Sequence, residues 1–162
     1  VINKLEMLKE INVSNDSKKN GIYKTFWPGR FQIVNKEPLI IIDGAHNIDG
    51  ATALRKSMDV LCKDKKVLMA IGMLADKDVN GIIGEFTKIT KDFVITEPDN
   101  PRKLTADKLA VLLEEQGCTC HVVPMAEDAC VQVEKIKDQY DVVLFAGSLY
   151  LIGKIRSILK NA

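Results

Sequence analysis

The residues best suited to chemistry are the pentad Asp43–Asn47, which reads Asp-Gly-Ala-His-Asn and directly follows the apolar run Leu39–Ile42. A carboxylate at the end of a buried strand can meet a nucleotide ribose or a magnesium-linked water, and His46 follows three residues later. Alternatively, Asp43 caps the next helix and His46 is an ordinary loop residue. The spacing alone leaves both interpretations open.

Two further loops carry groups that can hold an anion. Gly147 and Ser148 follow an apolar run and precede a helical pattern, where free backbone N–H groups and the helix dipole favour a carboxylate or phosphate. The alternative is that Ser148 only caps its own helix. Lys77 lies shortly after the apolar run Val67–Ile71, and alone it would be an ordinary solvated lysine.

Arg30 ends the rigid turn Trp27–Arg30 and precedes the predicted sheet. A guanidinium there could reach phosphates across a domain boundary, because its planar donors match phosphate oxygens. A surface arginine stacked near Trp27 is the competing interpretation.

Several chemistries have no motif in this sequence. A dinucleotide fingerprint, a P-loop and a Gly-x-Ser-x-Gly nucleophile elbow are all missing, so we expect neither a complete triphosphate cradle nor covalent catalysis within this chain. The four cysteines and two histidines lack the spacing of a zinc or redox site, and we expect no metal ligand here. Cys118 and Cys120 would share one strand face, which leaves a metal site as the weaker alternative.

The elements that must position these residues follow from hydrophobic periodicity. From residue 39 onward, short β-rich runs alternate with stretches of helical period, which predicts an α/β fold with a Rossmann-like, mostly parallel sheet and helices on both faces. Strands are predicted at 39–42, 67–71, 93–96, 120–123 and 142–146. Four crossover helices and a last helix at about 149–159 are predicted from apolar residues at helical spacing: Leu54, Met58, Leu61; Val79, Ile82, Ile83, Phe86, Ile89; Leu109, Leu112, Leu113; Ala129, Val133, Ile136; and Leu149, Ile152, Ile155, Leu159.

This arrangement brings the polar groups together. Parallel strands deliver their carboxyl ends to one sheet edge, so the loops holding Asp43, Lys77 and Ser148 are expected at the same ligand-binding edge. Residues 31–35 and 39–42 flank a hairpin-like turn and predict one antiparallel edge strand. Residues 1–27 have little to bury and are interpreted as the tail of a preceding domain and a linker, with residues 28–162 forming the α/β domain.

Composition limits the classes of partner. The 162 residues include 46% hydrophobic residues, enough for one full core, and carry a net charge of +1. This balance favours neither a nucleic-acid nor a membrane partner. With no apolar run of bilayer length and no secretory pattern at the start, we expect a cytoplasmic protein.

Taken together, the motifs resemble the carboxyl-terminal domain of the folylpolyglutamate synthase family, within the Mur ligase superfamily. The resemblance covers nearly the whole chain and rests on four segments: Trp27–Arg30, Asp43–Asn47, Gly72 with Asp76–Asp78, and Gly147–Leu151. It implies the Mur ligase carboxyl-terminal fold and an ATP-dependent ligase. Such an enzyme activates a folate γ-carboxyl as an acyl phosphate, which the amine of L-glutamate then attacks.

The resemblance also implies roles for individual residues. Arg30 and Asp43 match positions that contact the phosphates and ribose of ATP, and His46 is similar to a catalytic position near the reaction centre. Lys77 and Ser148 match places that hold the incoming glutamate. Phosphoryl transfer depends mainly on positioning and charge neutralisation, which an arginine and a helix N-terminus can both supply.

The sequence departs from the family pattern in two ways. Ile48 and Gln32 stand where relatives often have proline and glutamate, and neither change removes a proposed contact. The P-loop, the magnesium ligands and most of the folate pocket are implied to belong to an amino-terminal domain, so this chain is expected to be inactive alone. Its expected partners are that domain, folate, L-glutamate and ATP with Mg²⁺.

Two rival interpretations remain at this point. A Mur-type peptidoglycan ligase domain would use the same acyl-phosphate chemistry on a UDP-linked acceptor, although Gly44 and the segment Gly147–Leu151 favour the folate branch. A non-catalytic α/β module that binds a small anion or a partner protein would also lack a P-loop.

Overall fold

The fold is built on one six-stranded sheet. The computed structural model describes residues 1–161, with side chains through residue 160. The strand order is β1-β2-β6-β3-β4-β5, in which β1 is antiparallel to β2 and every other neighbouring pair is parallel. The strands are β1 (Gln32–Lys36), β2 (Leu39–Ile42), β3 (Val67–Ile71), β4 (Asp92–Ile95), β5 (Thr119–Val122) and β6 (Val142–Ala146). The predicted mostly parallel sheet with one antiparallel edge strand is confirmed.

Helices cover both faces of the sheet. The helices are α1 (Ile2–Met7), α2 (Asn15–Lys24), α3 (Ile48–Leu61), α4 (Val79–Phe86), α5 (Ala106–Glu114), α6 (Ala126–Ile136) and α7 (Leu149–Asn161). Helices α3, α4 and α5 bury their apolar stripes in one core, and α6 and α7 bury theirs in a second core on the opposite face. The four crossover helices and the closing helix are therefore present.

The central strands are apolar throughout because both of their faces are buried. In β3, Met69 points into the core beneath α3–α5, whereas its neighbours Leu68 and Ala70 point into the core beneath α6 and α7. All five residues of β3 and all five of β6 are buried. These two strands are neighbours at the centre, so the loops that follow them start from the fully buried part of the sheet.

Some predicted details are wrong. The strands predicted at 93–96 and 120–123 each begin one residue earlier, within the usual uncertainty of element ends. Leu61 was expected to face inward, but it lies at the last turn of α3 and is 65% exposed. Leu149, the first residue of α7, is 46% exposed, and Leu151 is the residue that is fully buried there.

The amino-terminal segment is helical but buries nothing. Neither α1 nor α2 has a buried residue, and α2 includes residues predicted to form a linker. The Ser14 side chain caps α2 by accepting the N–H of Ser17, and Lys18 pairs with Glu6. A cap on α2 and this ion pair between α1 and α2 therefore support the two helices where the burial pattern gives no signal.

All four cysteines are free thiols. Burial raises the pKa of all four, to about 11 for Cys120 and Cys130. Cys118 and Cys120 do face the same core. No group of three or more potential metal-binding side chains occurs within the described residues. None of the described helices is long and apolar enough to cross a bilayer.

Candidate functional site

Three loops meet at the carboxyl edge of the sheet, after the adjacent strands β2, β6 and β3. Gly147 follows β6 with φ of +103°, and its N–H donates to the carbonyl of Ala45 in the loop after β2 at 3.0 Å. A Cβ at Gly147 would lie 2.8 Å from the carbonyl oxygen of Gly72, in the loop after β3. The three loops therefore pack backbone against backbone, which only glycine at position 147 permits.

Asp43 organises the turn that precedes the sheet. Its Oδ1 accepts the N–H of Ala45 at 2.8 Å, and its Oδ2 accepts the N–H of Phe31 at 2.7 Å. Phe31 has φ of +41°, a left-handed conformation that is unfavourable for an aromatic residue and needs such support. Asp43 does not cap α3, because Asn47 does so by accepting the N–H of Gly50 at 2.8 Å.

Arg30 lies in the turn that Asp43 holds. Its N–H donates to the carbonyl of Trp27 at 3.2 Å, while the residue itself is exposed. Within residues 1–160, the Arg30 side chain forms no ion pair, so its guanidinium is available to an external anion. Gly44 closes the same turn by donating its N–H to the carbonyl of Gly29 at 2.7 Å.

His46 is held in one orientation and one tautomer. Its Nδ1 lies 2.7 Å from the carbonyl oxygen of Gly44, which can only accept a hydrogen bond, so Nδ1 carries the proton. In the neutral ring Nε2 is then unprotonated and can accept a proton. The ring is half-buried and borders the cavity described below.

Ser148 precedes α7 and is 2% exposed. Its Oγ has no hydrogen-bond partner among the described residues, although buried hydroxyls are normally satisfied. The alternative interpretation, in which the Ser148 side chain caps its own helix, is therefore wrong. Its carbonyl does accept the N–H of Ile152 at 2.9 Å, as in the first turn of a helix.

A cavity of about 130 Å³ joins these groups. It is lined by His46, Leu74, Lys77, Arg102, Gly147, Ser148, Leu149 and Tyr150. The lining is mainly apolar and includes the first residues of α7, the serine that precedes them and two partly exposed cations, which we place at the rim. The structure thus brings three of the five predicted site residues together, whereas Arg30 and Asp43 lie outside the cavity.

The rim carries more positive than negative charge. The Nη1 of Arg102 lies 2.7 Å from Oδ2 of Asp76, and the Nζ of Lys77 lies 3.9 Å from the other oxygen of the same carboxylate. The three side chains are 33% to 54% exposed, so these pairs are weak and open to exchange. Two cations share one carboxylate, so the group keeps a net positive charge that can attract an additional anion.

Arg102 is the site residue that the sequence prediction missed. It belongs to the loop after β4, and its carbonyl accepts the N–H of Ala75 at 2.8 Å, which ties that loop to the one carrying Lys77. The rule applied to the other strand ends could have found it, because the loop after 93–96 is rich in proline, aspartate and asparagine. Tyr150 and Leu149 complete the apolar wall.

The family is decided by a comparison with protein-family models. Residues 29–149 match the model for the Mur ligase, glutamate ligase domain, which is about three-quarters of the chain. The chain belongs to this family. The matched span includes Arg30, Asp43, His46, Lys77 and Ser148, and the architecture agrees with the Mur ligase carboxyl-terminal fold.

Relatives of this glutamate ligase domain are folate enzymes. The chain is 34% identical over 149 residues to the dihydrofolate synthase/folylpolyglutamate synthase of Escherichia coli K12, covering 92% of this chain and 34% of that protein. The Bacillus subtilis enzyme of the same name is 29% identical, with the same coverages. The chain therefore spans about a third of the length of these curated relatives.

Solved structures agree with the fold. The Escherichia coli FolC structure in complex with DHPP and ADP has a TM-score of 0.82 and 29% identity, covering 93% of this chain and 36% of that one. A Mycobacterium tuberculosis folylpolyglutamate synthase structure complexed with ADP and AMPPCP has a TM-score of 0.86 at 23% identity, covering 96% and 37%. At that identity the likeness shows the fold alone.

Proposed function

We propose that this chain is the carboxyl-terminal domain of an ATP-dependent ligase that adds L-glutamate to the γ-carboxyl of tetrahydrofolate through an acyl-phosphate intermediate. Residues 28–162 form this domain, and residues 1–27 connect it to a preceding P-loop domain. The observation that carries the proposal is the cavity that Ser148, whose hydroxyl is unpartnered among the described residues, lines together with the start of α7 and the cations Lys77 and Arg102.

The cavity has the chemistry of an acidic amino-acid site. Backbone N–H groups at the start of α7 and the Ser148 hydroxyl can donate to one carboxylate, and a helix N-terminus favours such a charge. Lys77 and Arg102 can bind a second carboxylate at the rim. Leu149 and Tyr150 provide apolar contact for the aliphatic part between the two ends. L-glutamate has two carboxylates joined in this way.

We assign to His46 the proton that the reaction releases. The amine nitrogen of glutamate forms a bond to the acyl carbon, the carbon–oxygen bond to phosphate breaks, and phosphate leaves. The attacking nitrogen must lose a proton, and the unprotonated Nε2 of His46 is the acceptor that we assign to it. This role makes His46 the catalytic residue of the domain.

Arg30 and Asp43 form the nucleotide side of the site. The exposed Arg30 guanidinium binds phosphate oxygens of ATP, and the Asp43 carboxylate accepts from the ribose while it fixes the Phe31 turn. The two assignments support each other, because Asp43 accepts the N–H of Phe31 and so holds the turn that contains Arg30. Mg²⁺ supplies charge neutralisation to the phosphates, and we assign its ligands to the preceding domain.

The test is ADP release by the full-length protein in the presence of magnesium-ATP and L-glutamate. Tetrahydrofolate is compared with a UDP-muramoyl acceptor, and the assay is repeated with Asp43→Ala after thermal unfolding has shown that the variant is folded. We expect release that depends on folate and falls in the variant. Release with the UDP-linked acceptor would assign the domain to a peptidoglycan ligase, and no release with either would favour a non-catalytic module.

A further inference from the structure

The loop between β4 and α5, residues 96–105, carries Arg102 to the cavity rim. Its second residue, Glu97, has a side chain that is only 14% exposed, and it does not line the cavity assigned to glutamate. It borders a separate cavity whose other charges include the ion pair between Lys154 and Glu127. The proposed reaction gives the half-buried Glu97 carboxylate no role, so its position needs a separate explanation.

The Glu97 carboxylate holds both ends of its loop together. Its Oε1 accepts the N–H of Ala106, the first residue of α5, at 2.9 Å, and its Oε2 lies 2.6 Å from Nζ of Lys103. Thr105, at the N-cap position of α5, contributes no side-chain hydrogen bond, so Glu97 takes over that task from outside the helix. The N–H of Glu97 also donates to the carbonyl of Pro124 at 3.0 Å.

The contacts of Glu97 with Ala106 and Lys103, which we call the clamp, act on the backbone beside Arg102. Lys103, the residue that Glu97 holds, pairs with Leu74 in an isolated antiparallel bridge. Leu104 donates its N–H to the carbonyl of Met73 at 2.9 Å. The clamp and the bridge thus fix the backbone on the carboxyl-terminal side of Arg102, whose side chain stays 54% exposed and pairs with the exposed Asp76.

We propose that Glu97 is a positioning residue for the acceptor amino acid: by joining Lys103 and the start of α5, it fixes the loop that presents the Arg102 guanidinium to a carboxylate of L-glutamate. The inference rests on the proposed function, because it assigns Arg102 to the glutamate site. It adds a residue outside that cavity whose effect is specific to one of three substrates.

The test is steady-state kinetics of the full-length enzyme with Glu97→Ala, Glu97→Gln and Glu127→Ala. We expect Glu97→Ala to raise the KM for L-glutamate about tenfold, because small displacements of a binding group are costly, with kcat and the KM for ATP nearly unchanged. Glu97→Gln keeps an acceptor for the Ala106 N–H and should fall between wild type and Glu97→Ala. Glu127→Ala removes a carboxylate paired with Lys154 near the same loop and should behave as wild type.

A double-mutant cycle distinguishes positioning from general loosening. In an Arg102→Ala background, Glu97→Ala should raise the glutamate KM no further, because the group that it positions is gone. A wild-type glutamate KM in folded Glu97→Ala, or the same additional increase with and without Arg102, would overturn the inference. If Glu97→Ala does not fold, Lys103→Met removes the other half of the pair and should give the same selective increase, and a wild-type KM there would overturn it.

The two proposals fail in different ways. Glutamate-dependent turnover in wild type without a selective effect of Glu97 would refute only the positioning role. A wild-type enzyme with no glutamate-dependent turnover would refute the proposed function, and this inference with it.

Discussion

At the scale of single residues, replacing Ser148 should change glutamate binding without lowering the stability of the fold. Its buried hydroxyl has no partner among the described residues, so replacing it with alanine removes an unsatisfied group. We expect Ser148→Ala to unfold at or slightly above the wild-type temperature. The same change should raise the glutamate KM by about 10- to 100-fold, the equivalent of a hydrogen bond to a charged group.

The matched control is Ser157→Ala, which removes an exposed hydroxyl on the same helix whose partner among the described residues is the carbonyl of Gly153. Both its thermal unfolding and its glutamate KM should match wild type. A Ser148→Ala enzyme with an unchanged KM would show that the hydroxyl does not bind glutamate.

The roles of the two ring nitrogens of His46 can also be tested separately. Asparagine at this position can keep a donor near the Nδ1 position, and with it the bond to the Gly44 carbonyl, but it has no equivalent of Nε2. We expect His46→Asn to unfold like wild type and to lower kcat by about 100-fold or more, in the range found for general bases. The measurement is kcat at saturating substrates, and a kcat near wild type would remove His46 from proton transfer.

At the scale of elements, the β6–α7 junction depends on glycine. Gly147 has a left-handed backbone, and a Cβ there would collide with the Gly72 carbonyl. We expect Gly147→Ala to cost about 1–3 kcal/mol of unfolding free energy, measured on the 162-residue chain by denaturant titration. Gly153→Ala is the control, because no described residue lies within 4 Å of its added Cβ, and it should be neutral or stabilising by up to about 1 kcal/mol. Equal effects of the two changes would contradict the packing described for the three loops.

The β4–α5 loop gives the fold a dependence on pH. The hydrogen bond from Lys103, followed by that from the Ala106 N–H, lowers the pKa of Glu97. A carboxyl whose pKa is lower in the folded state stabilises the fold fully above its unfolded value, 4.5, and loses that contribution as pH falls through the folded pKa. Denaturant titrations of wild type and Glu97→Gln should therefore differ more at pH 6 than at pH 3.5. A difference that does not change with pH would refute this contribution of Glu97.

At the scale of the whole molecule, periodicity predicts the fold well because the sheet is buried on both faces. Runs such as Leu39–Ile42 and Val67–Ile71 are apolar without interruption, which is typical of parallel strands between two helical layers. The ends of the strands are predicted less accurately than the strands themselves. Leu61 shows that helical spacing alone does not predict which residues are buried in the last turn of a helix.

The candidate site is less predictable than the fold. The strand-end rule brings His46, Lys77 and Ser148 to one cavity, but it does not show that Ser148 lacks a partner or that Asn47 caps α3 in place of Asp43. Those facts depend on loop geometry that sequence spacing does not encode. Arg102 reaches the rim only because its loop pairs with the loop after β3, which is a long-range contact.

The most direct measurement of the central claim follows the oxygen atoms of the acceptor. The full-length protein is supplied with magnesium-ATP, L-glutamate and tetrahydrofolate labelled with ¹⁸O in the γ-carboxyl, and the folate product and the released phosphate are analysed by mass spectrometry. We predict a folate extended by one glutamyl residue together with phosphate that carries one ¹⁸O, because the carboxyl oxygen leaves with the phosphoryl group. Unlabelled phosphate, or no glutamyl-folate product, would contradict the account.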